Sequence, residues 1–61
     1  MRSHKFKVGD IVRLRPVSRN VPSYAFEVIQ QLPGIIEPEY RIKSANEQHE
    51  RVALESELIK A

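Results

Sequence analysis

The sequence has no cysteine, no tryptophan, only two glycines and only four aromatic residues among its sixty-one positions. Each shortage excludes a class of chemistry. Without cysteine there is neither a disulfide framework nor a thiolate metal site, and a reducing, cytoplasmic setting is expected. Gly9 and Gly34 cannot supply a glycine-rich loop to cradle phosphate. Phe6, Tyr24, Phe26 and Tyr40 are too few for an aromatic groove reading proline-rich peptides, or for a cage of about three rings around a methylated cation. Apolar runs are a few residues at most, as in Ile35-Ile36, so no membrane span or signal-peptide apolar region is present. His4 and His49 stand forty-five positions apart, in an expected frayed terminus and an expected loop tip, which is not the spacing of a metal pair on one element. Both are expected to be exposed. The glutamates of Glu37-Pro38-Glu39 and Glu55-Ser56-Glu57 are expected to solvate the surface, because so small a protein offers little concavity for an acid–base pair. No catalytic residue, metal, cofactor or small-molecule substrate is therefore expected.

What is present favours strands. Valine and isoleucine supply twelve of the twenty apolar residues left once Met1 and the alanines are set aside, and leucine only four. Branched side chains suit a pleated, half-buried surface. Apolar and polar positions alternate in four runs separated by breakers. The first covers residues 10–16 after a Gly9-Asp10 turn, with Val12 and Leu14 on one face and Arg13 and Arg15 on the other. Residues 17–23, with Asn20, two serines and Pro22, form an exposed loop. A long strand follows over residues 24–32, with Phe26 and Val28 inward. Ile29 breaks its alternation, which points to a bulge near Ile29-Gln30 or to partial cover on both faces. Pro33-Gly34 is a turn, Pro38 ends the connection, and residues 39–44 form a third strand with Tyr40 and Ile42 inward and Arg41 and Lys43 outward.

Residues 46–60 are rich in good helix formers, so a helix must be tested there. At 100° per residue Val52 and Ile59 share one side of the cylinder, whereas Leu54 and Leu58 fall on the opposite side. No apolar stripe forms. Read as a strand, residues 51–55 alternate, which places Val52 and Leu54 inward; one helical turn around residues 56–58 and a last pairing residue or two at Ile59 complete the chain. Sixty-one residues suffice for one small domain, residues 1–61, of marginal stability, with residues 1–4 expected to be flexible. Four or five short antiparallel strands in that length cannot make a two-layer sandwich and must curl into a small barrel. The expected fold is all-β, and the expected core is Phe6, Val8, Val12, Leu14, Phe26, Val28, Tyr40, Ile42, Val52, Leu54 and Leu58. The chain is expected to be monomeric.

With Phe6-Lys7-Val8-Gly9-Asp10-Ile11-Val12-Arg13-Leu14 at its front, a long strand ending Gln31-Leu32-Pro33, and Arg51-Val52-Ala53-Leu54-Glu55-Ser56-Glu57-Leu58 at its close, the sequence resembles the Src-homology-3-like small barrels. Among them it is most similar to the bacterial KOW-type and Tudor-like domains. The resemblance covers nearly the whole chain and rests on short motifs. It implies an SH3-like barrel of bacterial origin, and KOW-type domains imply RNA or ribosome contact.

Two functions suit a binding or accessory module of this kind. Residues 1–19 carry six basic side chains against Asp10, a balance of +5, and residues 20–61 carry four against seven glutamates, a balance of -3. Arg13 and Arg15 on the first strand, with Arg41 and Lys43 on the third, could line a basic face for RNA or DNA phosphates, extended by Lys5, Lys7 and Arg19 and with Tyr24 as a stacking surface. The plainer interpretation is a solvated face in which cross-strand glutamates pair with these cations. The other function is contact with a protein partner through Tyr24 and the apolar pair Ile35 and Ile36, provided that pair does not fold back over the open end of the barrel.

Overall fold

The computed structural model describes residues 3–17 and 19–61. Five strands form one antiparallel sheet: β1 (Ile11–Leu14), β2 (Phe26–Leu32), β3 (Glu39–Lys43), β4 (Arg51–Leu54) and β5 (Leu58–Lys60), with a single 3-10 turn, Glu55–Glu57, between the last two. Their order across the sheet is β4-β3-β2-β1-β5. Every strand sends at least one side chain into the same core, which comprises Val12, Phe26, Val28, Tyr40, Ile42, Ala53 and Leu58, closed by Phe6 from the segment before β1. A single sheet with no second layer can enclose one face only by curling round it, so the domain is a small, barrel-like all-β unit.

The long strand carries the bulge that its broken alternation predicts. Val28 pairs with Ile42 and Gln30 with Arg41, leaving Ile29 as the extra residue. The turn before β1 also forms as expected. Gly9 adopts φ +98°, where an L side chain would be strained, and Lys7 and Asp10 bond across it, Asp10 N–H donating to the Lys7 carbonyl at 2.9 Å. The strand edges shrink relative to expectation: β1 ends at Leu14 rather than at residue 16, and Glu55 opens the 3-10 turn instead of closing β4.

The expected core requires three corrections. In β4 the inward residue is Ala53, only 4% exposed, while Val52 is 55% exposed and Leu54 also faces out. The reason is the register: Ala53 stands opposite Tyr40, whose buried ring already fills the space that a larger partner would need. Alternation sets the period of a strand; the cross-strand partner sets its phase. Val8 is exposed because it lies on the turn before β1, and Leu14 packs against the core only in part.

Of the four N-terminal residues expected to be flexible, Met1 and Arg2 lie outside the described residues, as does Ser18 in the loop after β1. Ser3 and His4 are described, and His4 is held. Its Nε2–H donates to the Leu32 carbonyl at 2.7 Å, and its ring meets Tyr40 edge-on at 5.2 Å, so it is part-buried rather than an exposed filler.

Candidate functional site

The four basic residues proposed for phosphate contact do not fall on one row of the sheet. β2 separates β1 from β3, which sets them about 10 Å apart, and Glu27 of β2 stands directly opposite both Ile11 and Lys43. Arg41 donates from Nε to Gln30 Oε1 at 3.2 Å and forms an ion pair with Glu50 at 3.5 Å. On β1 the situation differs. Arg13 donates to the Ser23 carbonyl, and Arg15 Nε donates to the Ser56 carbonyl at 2.7 Å. These partners are neutral, and among the described residues no carboxylate forms an ion pair with either guanidinium. The basic face is thus divided into an interleaved part on β3 and a cationic part at the end of β1.

Tyr24 is not a free stacking surface. It packs against the core beside Phe26, with ring centroids 5.4 Å apart, and its hydroxyl donates to the Glu47 carboxylate. Glu47 in turn takes a two-pronged contact from Arg51, at 2.7 and 2.8 Å, and the Arg51 guanidinium lies 5.7 Å above the Phe26 ring. The sequence gives no spacing signal for this cluster beyond Glu47 and Arg51 being four apart. Arg51, and then the Tyr24 hydroxyl, hold the Glu47 carboxyl below the usual carboxylate range, while the hydrogen bond to Glu47, and then burial, push the Tyr24 phenol up against the opposing effect of Arg51.

The cluster makes a pH prediction. A carboxyl lowered in the folded state contributes stability that is present above its ordinary value of 4.5 and is lost as pH falls through the lowered value. Glu47→Gln should therefore have a lower urea midpoint than the parent at pH 7, with the gap closing towards pH 3. A gap of constant size between those pH values would show that Glu47 acts by packing alone.

Three of the four paired glutamates, Glu37, Glu55 and Glu57, turn out to be structural acceptors around the 3-10 turn. Glu37 accepts from the Ser56 N–H at 2.6 Å and from the Ser56 hydroxyl at 3.1 Å, and Glu57 accepts from the Leu54 N–H at 2.7 Å. Glu55 accepts from the Lys5 N–H at 2.8 Å and from the Tyr40 hydroxyl at 2.6 Å, while that hydroxyl also accepts the buried Phe6 N–H at 3.0 Å. Burial, and then the Glu55 contact, push the Tyr40 phenol up, which keeps it a donor. Among the described residues no group of three or more His, Cys, Asp and Glu side chains comes together as a metal site.

Ile35 and Ile36 do not fold back over the barrel. Ile35 is fully exposed and Ile36 is 87% exposed, at the tip of the 33–38 connection. The connection is nevertheless fixed at both ends. Gly34 packs so close to the Glu37 carbonyl that a Cβ there would lie 1.6 Å from the oxygen, Pro38 is buried, and Glu37 is tied to Ser56. With Ser3, His4 and Gln31, the tip borders a shallow cleft. Among the described residues no helix is long and apolar enough to cross a membrane. Comparison with protein-family models, curated proteins and solved structures finds no match.

Proposed function

We propose that this protein is a non-catalytic interaction module whose Ile35–Ile36 tip enters an apolar cleft on a protein partner. The observation that carries this reading is two adjacent isoleucines almost wholly in solvent on a connection held rigid by Gly34, Glu37 and Pro38. A floppy tip would lose conformational entropy on docking, and a fixed one loses little. The resemblance to small SH3-like barrels, many of which serve as binding modules, supports the same class of function.

A nucleic-acid contact through Arg13, Arg15, Arg41 and Lys43 is the second reading, and what favours it is the uncompensated charge of Arg13 and Arg15. The interleaving of Lys43 with Glu27 and of Arg41 with Glu50 leaves it fewer phosphate contacts.

One set of experiments separates the two. The immobilised protein should retain a partner in stoichiometric yield, and Ile36→Asp should release it while melting as the parent does. A titration with mixed-sequence single-stranded RNA at low salt should leave the amides of Arg13, Arg15, Arg41 and Lys43 unmoved. RNA-dependent shifts at all four, with the Ile36→Asp variant binding as the parent does, would overturn the protein-contact reading and establish the other.

A further inference from the structure

A second surface, whose lining does not include Ile35 or Ile36, lies along β4. β4 is an edge of the sheet. Glu55 N–H donates to the Pro38 carbonyl at 2.9 Å, so backbone groups at Ala53 and Arg51, two and four residues earlier, also turn towards β3. Those of Val52 and Leu54 must then point away. The Leu54 N–H is taken by Glu57, but among the described residues none bonds the outward N–H and C=O of Val52. An open edge of this sort is a template for another strand.

The ground beside that edge is apolar. Leu14, Val17, Val21 and Pro22, from the end of β1 and the loop after it, face Val52 across a groove, with Arg15 on its rim. Val17 and Val52 are both largely exposed in this state. In the lining Arg15 and Arg51, the latter paired with Glu47, stand against one acid, Glu57. Arg15 meets the Ser56 carbonyl and Arg13 the Ser23 carbonyl, and among the described residues neither they nor Arg19 lies within ion-pair distance of a carboxylate. That acid, Glu57, accepts the Leu54 N–H and keeps its negative charge.

We infer that this groove accepts an extended, acidic and apolar segment of a partner protein, which adds as a strand beside β4. Two main-chain bonds to Val52 fix its register, alternate apolar side chains enter the groove against Val17 and Val52, and a carboxylate on the segment meets Arg15. Strand addition of this kind takes affinity from the backbone and specificity from alternate side chains. Arg15, which has no carboxylate partner among the described residues, favours acidic over basic segments.

The probe is a labelled ten-residue peptide alternating valine and glutamate, with a valine–lysine peptide as its counterpart, followed by fluorescence anisotropy and amide exchange. The glutamate peptide should bind at least about tenfold more tightly than the lysine peptide and should slow exchange at Val52. Val52→Pro removes only the outward donor and leaves the β3 ladder whole, since proline is tolerated at an edge. It should lose binding about tenfold or more, whereas Val52→Ala keeps most of it. Arg15→Gln should weaken binding severalfold, and Glu57→Ala, which frees the Leu54 N–H and removes a negative charge, should strengthen it. Should Val52→Pro misfold, the opposite responses of Arg15→Gln and Glu57→Ala decide the matter. Equal binding of both peptides, or undiminished binding by a folded Val52→Pro, would overturn the inference. So would sedimentation showing a dimer of this chain that Val52→Pro dissolves, which would assign the edge to a second copy.

Discussion

Replacing Phe26 by alanine should leave most of the protein unfolded at room temperature, whereas Val52→Ala should leave its melting curve almost unchanged. Phe26 is 1% exposed and forms the floor on which Tyr24 and Arg51 rest. Deleting such a ring costs about 3 to 5 kcal/mol, while a domain of this length holds only about 3 to 9 kcal/mol in total. Val52 is equally apolar and sits in a strand, but its side chain is mostly in water, so truncation there should cost well under about 1 kcal/mol. Thermal melts followed by circular dichroism distinguish the two. A cooperative Phe26→Ala transition at the parent temperature would remove Phe26 from the core, and a Val52→Ala variant destabilised as severely as Phe26→Ala would mean that β4 presents its other face to the core.

Tyr40→Phe should detach the N-terminal segment without dissolving the sheet. The substitution keeps the ring and removes one oxygen that serves two partners, accepting the Phe6 N–H and donating to Glu55. An unsatisfied buried N–H costs about 1 to 3 kcal/mol, and relief comes only if Phe6 moves towards water. Amide exchange at Phe6 should therefore accelerate far more than exchange at Val28 or Ile42, and the urea midpoint should fall. Unchanged protection at Phe6 would show that the segment is held by its ring and by Gln31, whose Nε2–H donates to the Phe6 carbonyl, rather than by the tyrosine hydroxyl.

These two variants also mark where the sequence could be read and where it could not. Phe26, Val28, Tyr40 and Ile42 declare themselves through period-two alternation, and the bulge at Ile29 through the failure of that alternation. The phase of β4 is hidden because Val52 and Leu54 are larger and more apolar than Ala53, and only the Tyr40 ring across the strand makes the small residue fit inside. The site residues divide in the same way. That Ile35 and Ile36 stand in a turn is evident from Pro33-Gly34 and Pro38, but their full exposure depends on Glu37 reaching Ser56, a contact nineteen residues away in the chain. The separation of Arg13 and Arg15 from Arg41 and Lys43 follows from strand order, which local pattern does not contain. The open edge of β4 is a property of hydrogen-bond parity and needs the register to be known.

The pairing of β1 with β5 bears on the order of events as the chain folds. Val12 faces Lys60 and Leu14 faces Leu58, and Lys5 reaches Glu55 across fifty positions. Contacts so far apart in sequence must wait for a large loop to close, which places such topologies in the millisecond-to-second range rather than the microsecond range of local folds. The β2-β3-β4 meander is connected by short links and can pair first. Until β1 and β5 arrive, it carries Phe26, Val28, Tyr40 and Ile42 on an uncovered face with two free edges. The interval before closure is the period in which this chain is most exposed to association with its own copies, so refolding yield should fall as protein concentration rises.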